Sequence, residues 1–420
     1  MSRSPLSVFA TAESERASAT IAAFLLFALL PPLTVPAFRS ATLMAGLALV
    51  VSLVGLRKEE WKGLVAWPKG FEGRVIAGSL VLFLALAAFS LLWTPDVSHA
   101  SEKLMTFALL VFGLVILASA MRPASGKLAI AFAVLGAGTA AVLMTLELMK
   151  WTTFHRLVEP RAYLYDLNRT AALLAFMLPA MGLAVVRGWV PRLPGAVVAL
   201  GMVAVIAWSQ SQSAQLALLA TAAGFAIAMW RPAIPPLALL VAACVLLAPA
   251  IPERIAPALD RVEGSAVREM HAEHRLAIWR GYADLIGERP LLGHGFRASR
   301  ALGMNGAIAH RTLPLGLPPN TDHPHNAALE IWVDLGLVGA LLAAGAIGAL
   351  LLGLRHVRGR PERAACVALA LGAVAFSSTA NGLYQGWWIA SVGAGAILLR
   401  LLLSQRAPAF AEPSRGTSAP

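Results

Sequence analysis

Apolar runs of about 16 to 24 residues alternate with polar links along most of the chain, each near the ~20 residues that span the ~30 Å hydrocarbon layer as a helix. They lie near residues 20–37, 41–56, 75–93, 103–121, 127–149, 170–187, 194–209, 213–230, 232–249, 334–354, 364–380 and 386–403. This pattern predicts an all-α polytopic membrane protein with about twelve transmembrane helices. Residues 1–249 would supply the first nine helices, 250–324 a large outer loop containing amphipathic helices, 325–403 the last three helices and 404–420 a cytoplasmic tail. The first run follows a polar stretch carrying Arg3 and Arg16 and lacks a small-residue cleavage site, so it is expected to remain as an uncleaved first helix.

Composition strengthens this reading. The 420 residues are 58% hydrophobic and only 13% charged, whereas a soluble domain carries roughly 25% charge. Mean hydropathy is +0.71. The net charge of +12 is not gathered into a cluster interleaved with aromatics, as a nucleic-acid groove would require. It follows the links instead. Even-numbered links carry Arg57, Lys58, Lys62, Lys69 and Arg74, then Arg122 and Lys127, Arg187 and Arg192, Arg231, and Arg355, Arg358, Arg360 and Arg363, while short odd links are nearly free of cations. The positive-inside rule then places both termini in the cytoplasm and the odd links on the outer side of the membrane. Cys244 and Cys366 both fall in apolar runs and read as small core residues, implying neither a disulfide nor a metal cluster.

Two odd links depart from the charge pattern. The ninth, about 250–324, holds nine arginines, but long loops translocate regardless of charge. The fifth, about 150–169, is short and still holds Lys150, Arg156, Arg161 and Arg169. These cations could be solvated, or pair with Glu159 and Asp166. Alternatively they form an anion site, because Asn168 and Arg169 head the sixth run, where free N–H groups and the helix dipole favour a phosphate oxygen.

Six of the nine histidines fall between His271 and His325. Arg254, Arg261, Arg268 and Arg275 recur every seven residues there, which would align them on one helical face. The segment from His274 to Arg280 reads as amphipathic, with Leu276, Trp279 and Ala283 expected against the membrane surface and Arg275 pointing elsewhere; a solvated arginine face is the alternative. The loop closes with Asn320-Thr321-Asp322-His323-Pro324-His325-Asn326. Thr321 or Asp322 is expected to cap the next helix, with Pro324 and His325 in its first turn, where the dipole disfavours imidazolium and keeps His325 neutral. A neutral imidazole accepts a proton. A metal shared by His323 and His325 is the weaker reading, since no cysteine is near and Pro324 separates them.

These residues resemble the O-antigen ligase and polymerase superfamily of bacterial membrane glycosyltransferases over about 160–345. His325-Asn326, nine residues, then Gly336-Leu337-Val338-Gly339 is similar to that family's signature. Arg275 with Ile278-Trp279 and Pro290-Leu291-Leu292-Gly293 is similar to its arginine-tryptophan block, and Asn168-Arg169 before a helix containing Pro179 to another. Where many members carry Ser-Arg, this chain has Ser211-Gln212, so Arg161 or Arg169 would supply the missing charge. The resemblance implies a GT-C-like membrane fold and metal-independent, inverting transfer without a cofactor, from an undecaprenyl diphosphate-linked glycan to lipid A-core or another glycan acceptor. It implies His325 as base, Arg275, Arg169 and Arg161 as diphosphate ligands, and Asn326, Asn168 and Arg300 as supporting residues. Ligase is the favoured activity. O-antigen or exopolysaccharide polymerase and protein O-oligosaccharyltransferase stay open; a polyprenol-linked glycan flippase is the alternative of another class, disfavoured because the functional-looking charges sit in odd links and only Glu147 stands out within the predicted spans.

Overall fold

A computed structural model describes residues 17–37, 39–56, 70–121, 126–150, 153–158, 164–260, 272–315, 318, 320–380 and 382–405. Among these residues the regular structure is all helical, with no strand. We label the principal helices α1 (Ala17–Leu33), α2 (Ser40–Val54), α3 (Phe71–Leu92), α4 (Val97–Ala120), α5 (Gly126–Leu148), α6 (Asn168–Val186), α7 (Arg192–Trp208), α8 (Gln212–Met229), α9 (Ile234–Leu246), α10 (Ile251–Asp260), α11 (Ala272–Glu288), α12 (Ala298–Met304), α13 (Ala327–Leu354), α14 (Arg360–Ser377) and α15 (Gly386–Leu403).

Every predicted apolar run contains a helix, but the runs differ in length and polarity. Among the described residues seven helices are long and apolar enough to cross a membrane, or eight if Arg231–Leu246 and Ala248–Ile255, bent by 66°, form one span. The helices α1, α2 and α7 are apolar but shorter, and α14 opens on Arg360, Glu362 and Arg363. The expectation of about twelve spans is therefore supported as a polytopic helical membrane protein, with seven or eight spans by length and composition.

Burial sorts the helices into layers. In α6, 72% of the most apolar window is buried, against 17% in α3 and α4. Thus α6 is the central post and α3 and α4 lie at the periphery. The residues 171–176 of α6 are all buried, in the same cluster as Ala390, Ala394, Leu398 and Leu401 of α15. The apolar faces of α3 and α4, with Leu82, Met105, Leu109 and Val115 exposed, suit a hydrocarbon solvent rather than water.

The helix ends fall into two sets. One end gathers the N-termini of α6, α8, α13 and α15 with the C-terminus of α14, joined by Ser213 Oγ to the Thr379 carbonyl (3.0 Å) and His325 to the Ala380 carbonyl. At the opposite end Arg187 pairs with Glu362, Arg363 Nε donates to the Ala228 carbonyl (3.1 Å), and Arg355 and His356 both reach Glu72. This division matches that of the odd and even links.

One loop expectation needs correction. The apolar face of α11 lies against the protein: Ile278, Tyr282, Leu285 and Ile286, at i, i+4, i+7 and i+8, are buried with Phe296, Leu329 and Val333. Such a stripe packs on a neighbouring helix as readily as on lipid, and here α13 provides the surface. Of the four heptad arginines, Arg261 and Arg268 lie outside the described residues.

Candidate active site

The site is organised by a break in α13. Gly336 has φ 62° and ψ −158° within the helix, a conformation essentially reserved for glycine. A Cβ there would stand 2.4 Å from the Leu291 backbone carbon. The break frees backbone groups that cannot be left unpaired in an apolar interior. The segment Pro290–Gly295 satisfies them from both sides: Leu337 N–H donates to the Pro290 carbonyl (2.8 Å) and Val338 N–H to Leu291 (3.3 Å), while the N–H groups of His294 and Gly295 donate to the carbonyls of Val333 (2.8 Å) and Asp334 (2.9 Å). The glycine of the sequence signature and the Pro-Leu-Leu-Gly block are two halves of one joint.

This joint positions three buried charges. The helix begins seven residues before the apolar run predicted at 334, so Glu330 and Asp334 both lie within it and are fully buried. Asp334 accepts from the N–H groups of Arg297 (3.0 Å) and Ser299 (2.7 Å), capping α12. Arg297 Nη1 donates to Glu330 at 2.9 Å, and its guanidinium lies 5.8 Å from the Tyr384 ring centre. The other Glu330 oxygen accepts from Leu383 N–H. Breaking such a pair leaves an uncompensated buried charge, at a cost of about 3–5 kcal/mol. Sequence reading passed over Arg297; its signal was a cation two residues after the second glycine of Gly293-His294-Gly295.

The start of α13 differs from expectation. Asn326, not Thr321 or Asp322, is the N-cap, its Oδ1 accepting from Ala328 (3.0 Å) and Leu329 (3.1 Å) N–H groups. Pro324 and His325 therefore precede the helix, and His325 has a left-handed φ of 53°. Asn tolerates the extended cap conformation and supplies its own acceptor, which displaces the first turn by two or more residues from the predicted position.

The His325 ring is fixed from one side. Its Nδ1 lies 2.9 Å from the Ala380 carbonyl, which only accepts, so Nδ1 carries the proton and Nε2 keeps its lone pair. Its own N–H donates to His323 Nδ1 (3.1 Å), and the two rings meet edge to face with centres 4.1 Å apart. His323 Nε2 lies 3.3 Å from Asp322. Burial, reinforced by His325 and Arg297, pushes His323 down to about 3.

Arg275 comes to the same place through Trp279, one helical turn further along α11. The Trp279 indole N–H donates to the Pro324 carbonyl at 2.9 Å, immediately before His325. Burial first, then the Arg275 charge, holds His325 below the usual imidazole range, against the opposing Ala380 hydrogen bond. The neutral base expected from the sequence is thus favoured mainly by desolvation and a nearby cation. Burial also lowers Arg275 itself.

The other proposed residues separate. Asn168 and Arg169 begin α6 as expected, and the Arg169 guanidinium lies 5.6 Å from the centre of the Trp387 ring at the head of α15. Trp387 meets Phe376 edge to face at 6.0 Å, and Ala380 N–H bonds to the Phe376 carbonyl. These contacts tie Arg169 to the same end of the bundle as His325. Arg300 faces elsewhere, within electrostatic reach of His99 in α4. Ser211 caps α8 through Ala214 N–H at 3.3 Å. Arg161 lies outside the described residues. Among those described, no three His, Cys, Asp or Glu side chains converge as metal ligands.

Beside the histidine lies an apolar groove of about 450 Å³, bounded by α9, α13, α14 and α15. It begins at Ala327 and Ala328, next to the Asn326 cap, and passes Ile331, Ala370 and Trp388 to reach Leu403 at the other end of the bundle.

The fold and this site define a polytopic helical membrane protein with a half-buried imidazole and guanidinium at one end. Residues 196–344 match the sequence model of the O-antigen ligase family, supporting the superfamily assignment. A Rickettsia felis protein provisionally named a polysaccharide ligase is 29% identical over 158 residues, covering 38% of this chain and 39% of its own length. A second provisionally named polysaccharide ligase, from Rickettsia prowazekii, is 31% identical over 160 residues, with 38% and 39% covered. The alignable region thus spans about two fifths of these curated relatives.

Proposed function

We propose that this protein is an O-antigen ligase-type glycosyltransferase of the bacterial inner membrane. It transfers a glycan from undecaprenyl diphosphate to the lipid A-core oligosaccharide at the periplasmic face. The observation that carries the reading is the His325 geometry: a proton held on Nδ1 by Ala380, an Nε2 left as acceptor, and Arg275 alongside.

In the transfer, an acceptor hydroxyl attacks the anomeric carbon of the lipid-linked sugar. Its proton passes to His325 Nε2, a general-base contribution of about 10² to 10⁴ in rate. The bond from the sugar to the diphosphate breaks on the opposite face, the electron pair leaves with the diphosphate and the anomeric configuration inverts. Arg275 and Arg169 stabilise the departing charge; preorganised donors of this kind are each worth ~2.7–4 kcal/mol. The apolar groove beside α13 accommodates the prenyl chain, keeping the diphosphate at the histidine end. The names of the Rickettsia relatives, the family match and the residue resemblance support this substrate class.

The test is deletion followed by complementation with wild type or His325→Ala, read by gels of lipopolysaccharide and lipid-linked glycan. The proposal expects polymer-bearing lipid to accumulate beside unsubstituted core, rescued by wild type and not by an equally abundant H325A. Core carrying a single repeat would assign polymerase activity instead, and glycan trapped on the cytoplasmic face would assign transport. Full rescue by H325A removes this histidine from the chemistry.

A further inference from the structure

Glu330 is buried one helical turn from the Asn326 cap, too deep within α13 to be a surface ion pair. One oxygen holds Arg297; the other accepts from Leu383 N–H in the link between α14 and α15. That link also contains Ala380, whose carbonyl takes the His325 Nδ1 proton. The two halves of the carboxylate therefore join the Pro290–Arg297 segment to the strip of backbone that orients the imidazole.

An independent feature supports the connection. Between Ala380 and Leu383 stands Gly382, where a Cβ would lie 3.2 Å and 3.3 Å from the two Glu330 oxygens and 3.4 Å from the His323 Cβ. A side chain at 382 would press on Glu330 and the histidine loop together, so that one or the other must give by a few tenths of an ångström. The backbone lies so close because the carboxylate draws it in.

From this geometry we infer that Glu330 is a positioning residue for His325, acting through Leu383 and Ala380 to hold the ring with Nδ1 protonated and Nε2 free. The inference rests on the transfer reading for its catalytic consequence, but its structural core is a statement about a tautomer. Without the anchor at Leu383, the Ala380 carbonyl would drift, and a neutral imidazole would divide between its two N–H forms. Only the Nδ1–H form offers Nε2 as the base.

The test uses the full chain in nanodiscs with ¹⁵N-labelled histidine, assigning His325 by difference against His325→Ala. In wild type the His325 signal should report the Nδ1–H tautomer. Glu330→Asp retains the charge for Arg297 but withdraws the carboxylate by one methylene from Leu383. It should give a mixture of tautomers and at least a tenfold fall in kcat, with little change in KM for the lipid-linked donor. The acid limb of kcat should also move to lower pH, because losing the Ala380 hydrogen bond removes the larger of the two contacts that favour the imidazolium, the Asp322 charge being the other. The groups facing His325 are Arg275 and His274 from α11, Asp322 and His323 from its own loop, and the Ala380 carbonyl; of these only the carbonyl is displaced in the variant. Glu330→Gln, which keeps an acceptor oxygen for Leu383, should restore most of the Nδ1–H signal.

An unchanged tautomer and pH profile in Glu330→Asp would leave Glu330 as a structural ion-pair partner and overturn the inference. So would a wild-type spectrum with the His325 proton on Nε2, a result that decides the question even if neither variant inserts. A tautomer change in Glu330→Asp in a wild-type background that transfers no glycan would sink the transfer reading and preserve the positioning link.

Discussion

The two ends of the helix bundle differ in where they leave positive charge without a carboxylate partner. At the even-link end four arginines meet a compensating group on the chain: Arg187 on Glu362, Arg355 on Glu72, Arg363 on the Ala228 carbonyl and Arg400 on the Met121 carbonyl at 3.1 Å. At the odd-link end Arg297 is paired with Glu330, but Arg275 stands half-buried beside a neutral histidine, and desolvation is the dominant influence on its guanidinium. Local neutralisation stabilises a fold. A desolvated cation beside a base disfavours its own neighbour's protonation, an arrangement suited to receiving an anion that the chain itself does not supply.

The largest expected effect follows from that asymmetry. Arg275→Met should lower transfer about 10²- to 10³-fold, the equivalent of ~2.7–4 kcal/mol of lost transition-state stabilisation. Its melting temperature should stay level or rise, because a half-buried cation has been removed. The measurement is single-turnover transfer from lipid-linked glycan beside a thermal melt. Wild-type turnover in this variant would erase the functional distinction between the two ends.

Next in size is the joint that sets up the odd-link end. Gly336→Ala forces a Cβ onto the Leu291 backbone at a residue with φ 62°, so strain alone should cost about 1–3 kcal/mol. The clash would displace Asp334 from the Arg297 and Ser299 N–H groups. We expect a lower melting temperature and a loss of transfer that exceeds the loss of folded protein. A variant as stable and active as wild type would show that α13 can close its break without the Pro290–Gly295 segment.

The helices were readable from the sequence because bilayer thickness imposes a length on apolar runs, and the alternation of the links matches the division of the helix ends into two sets. His325, Arg275 and Asn326 stand out in the sequence because the resemblance and the local clustering of histidines point to the same few residues. The cap was misplaced because Thr321, Asp322 and Asn326 are all competent N-caps, and only packing of the loop on Ala380 and Trp279 chooses among them. Arg297 and the link at 378–385 were missed for a related reason. Their roles depend on contacts across 33 to 55 residues of sequence separation, which no local periodicity encodes. The amphipathic face of α11 carried the right residues for burial but did not say whether lipid or protein would cover them.

Titration sharpens the same comparison with smaller effects. His323 is pushed down to about 3 in the folded protein, whereas an unfolded imidazole ionises near ~6.5. Between these values the unfolded chain binds the extra proton, so stability contributed by the neutral ring is present above ~6.5 and lost as pH falls through this window. His325 acts in the same direction. The melting temperature should therefore drop between pH 7.5 and 5.5, and less steeply in His323→Phe if the ring packing is preserved. For catalysis, Arg275→Met removes a charge that disfavours imidazolium, so His325 becomes easier to protonate and the acid limb of residual activity should move to higher pH. Movement to lower pH would show that Arg275 does not act on this ring.

The smallest effect belongs to the even-link end. Glu362→Gln weakens the pair with Arg187, whose side chain retains 32% exposure, and a pair this open to solvent contributes within about 1 kcal/mol. Glu362 touches none of the residues around His325, so transfer per folded molecule should be unchanged while the melt shifts by a degree or two. Comparable losses from Glu362→Gln and Arg275→Met would mean that charge at the two ends serves one global purpose. A silent Glu362→Gln beside a crippled Arg275→Met separates neutralised charge, which holds the bundle, from desolvated charge, which performs its chemistry.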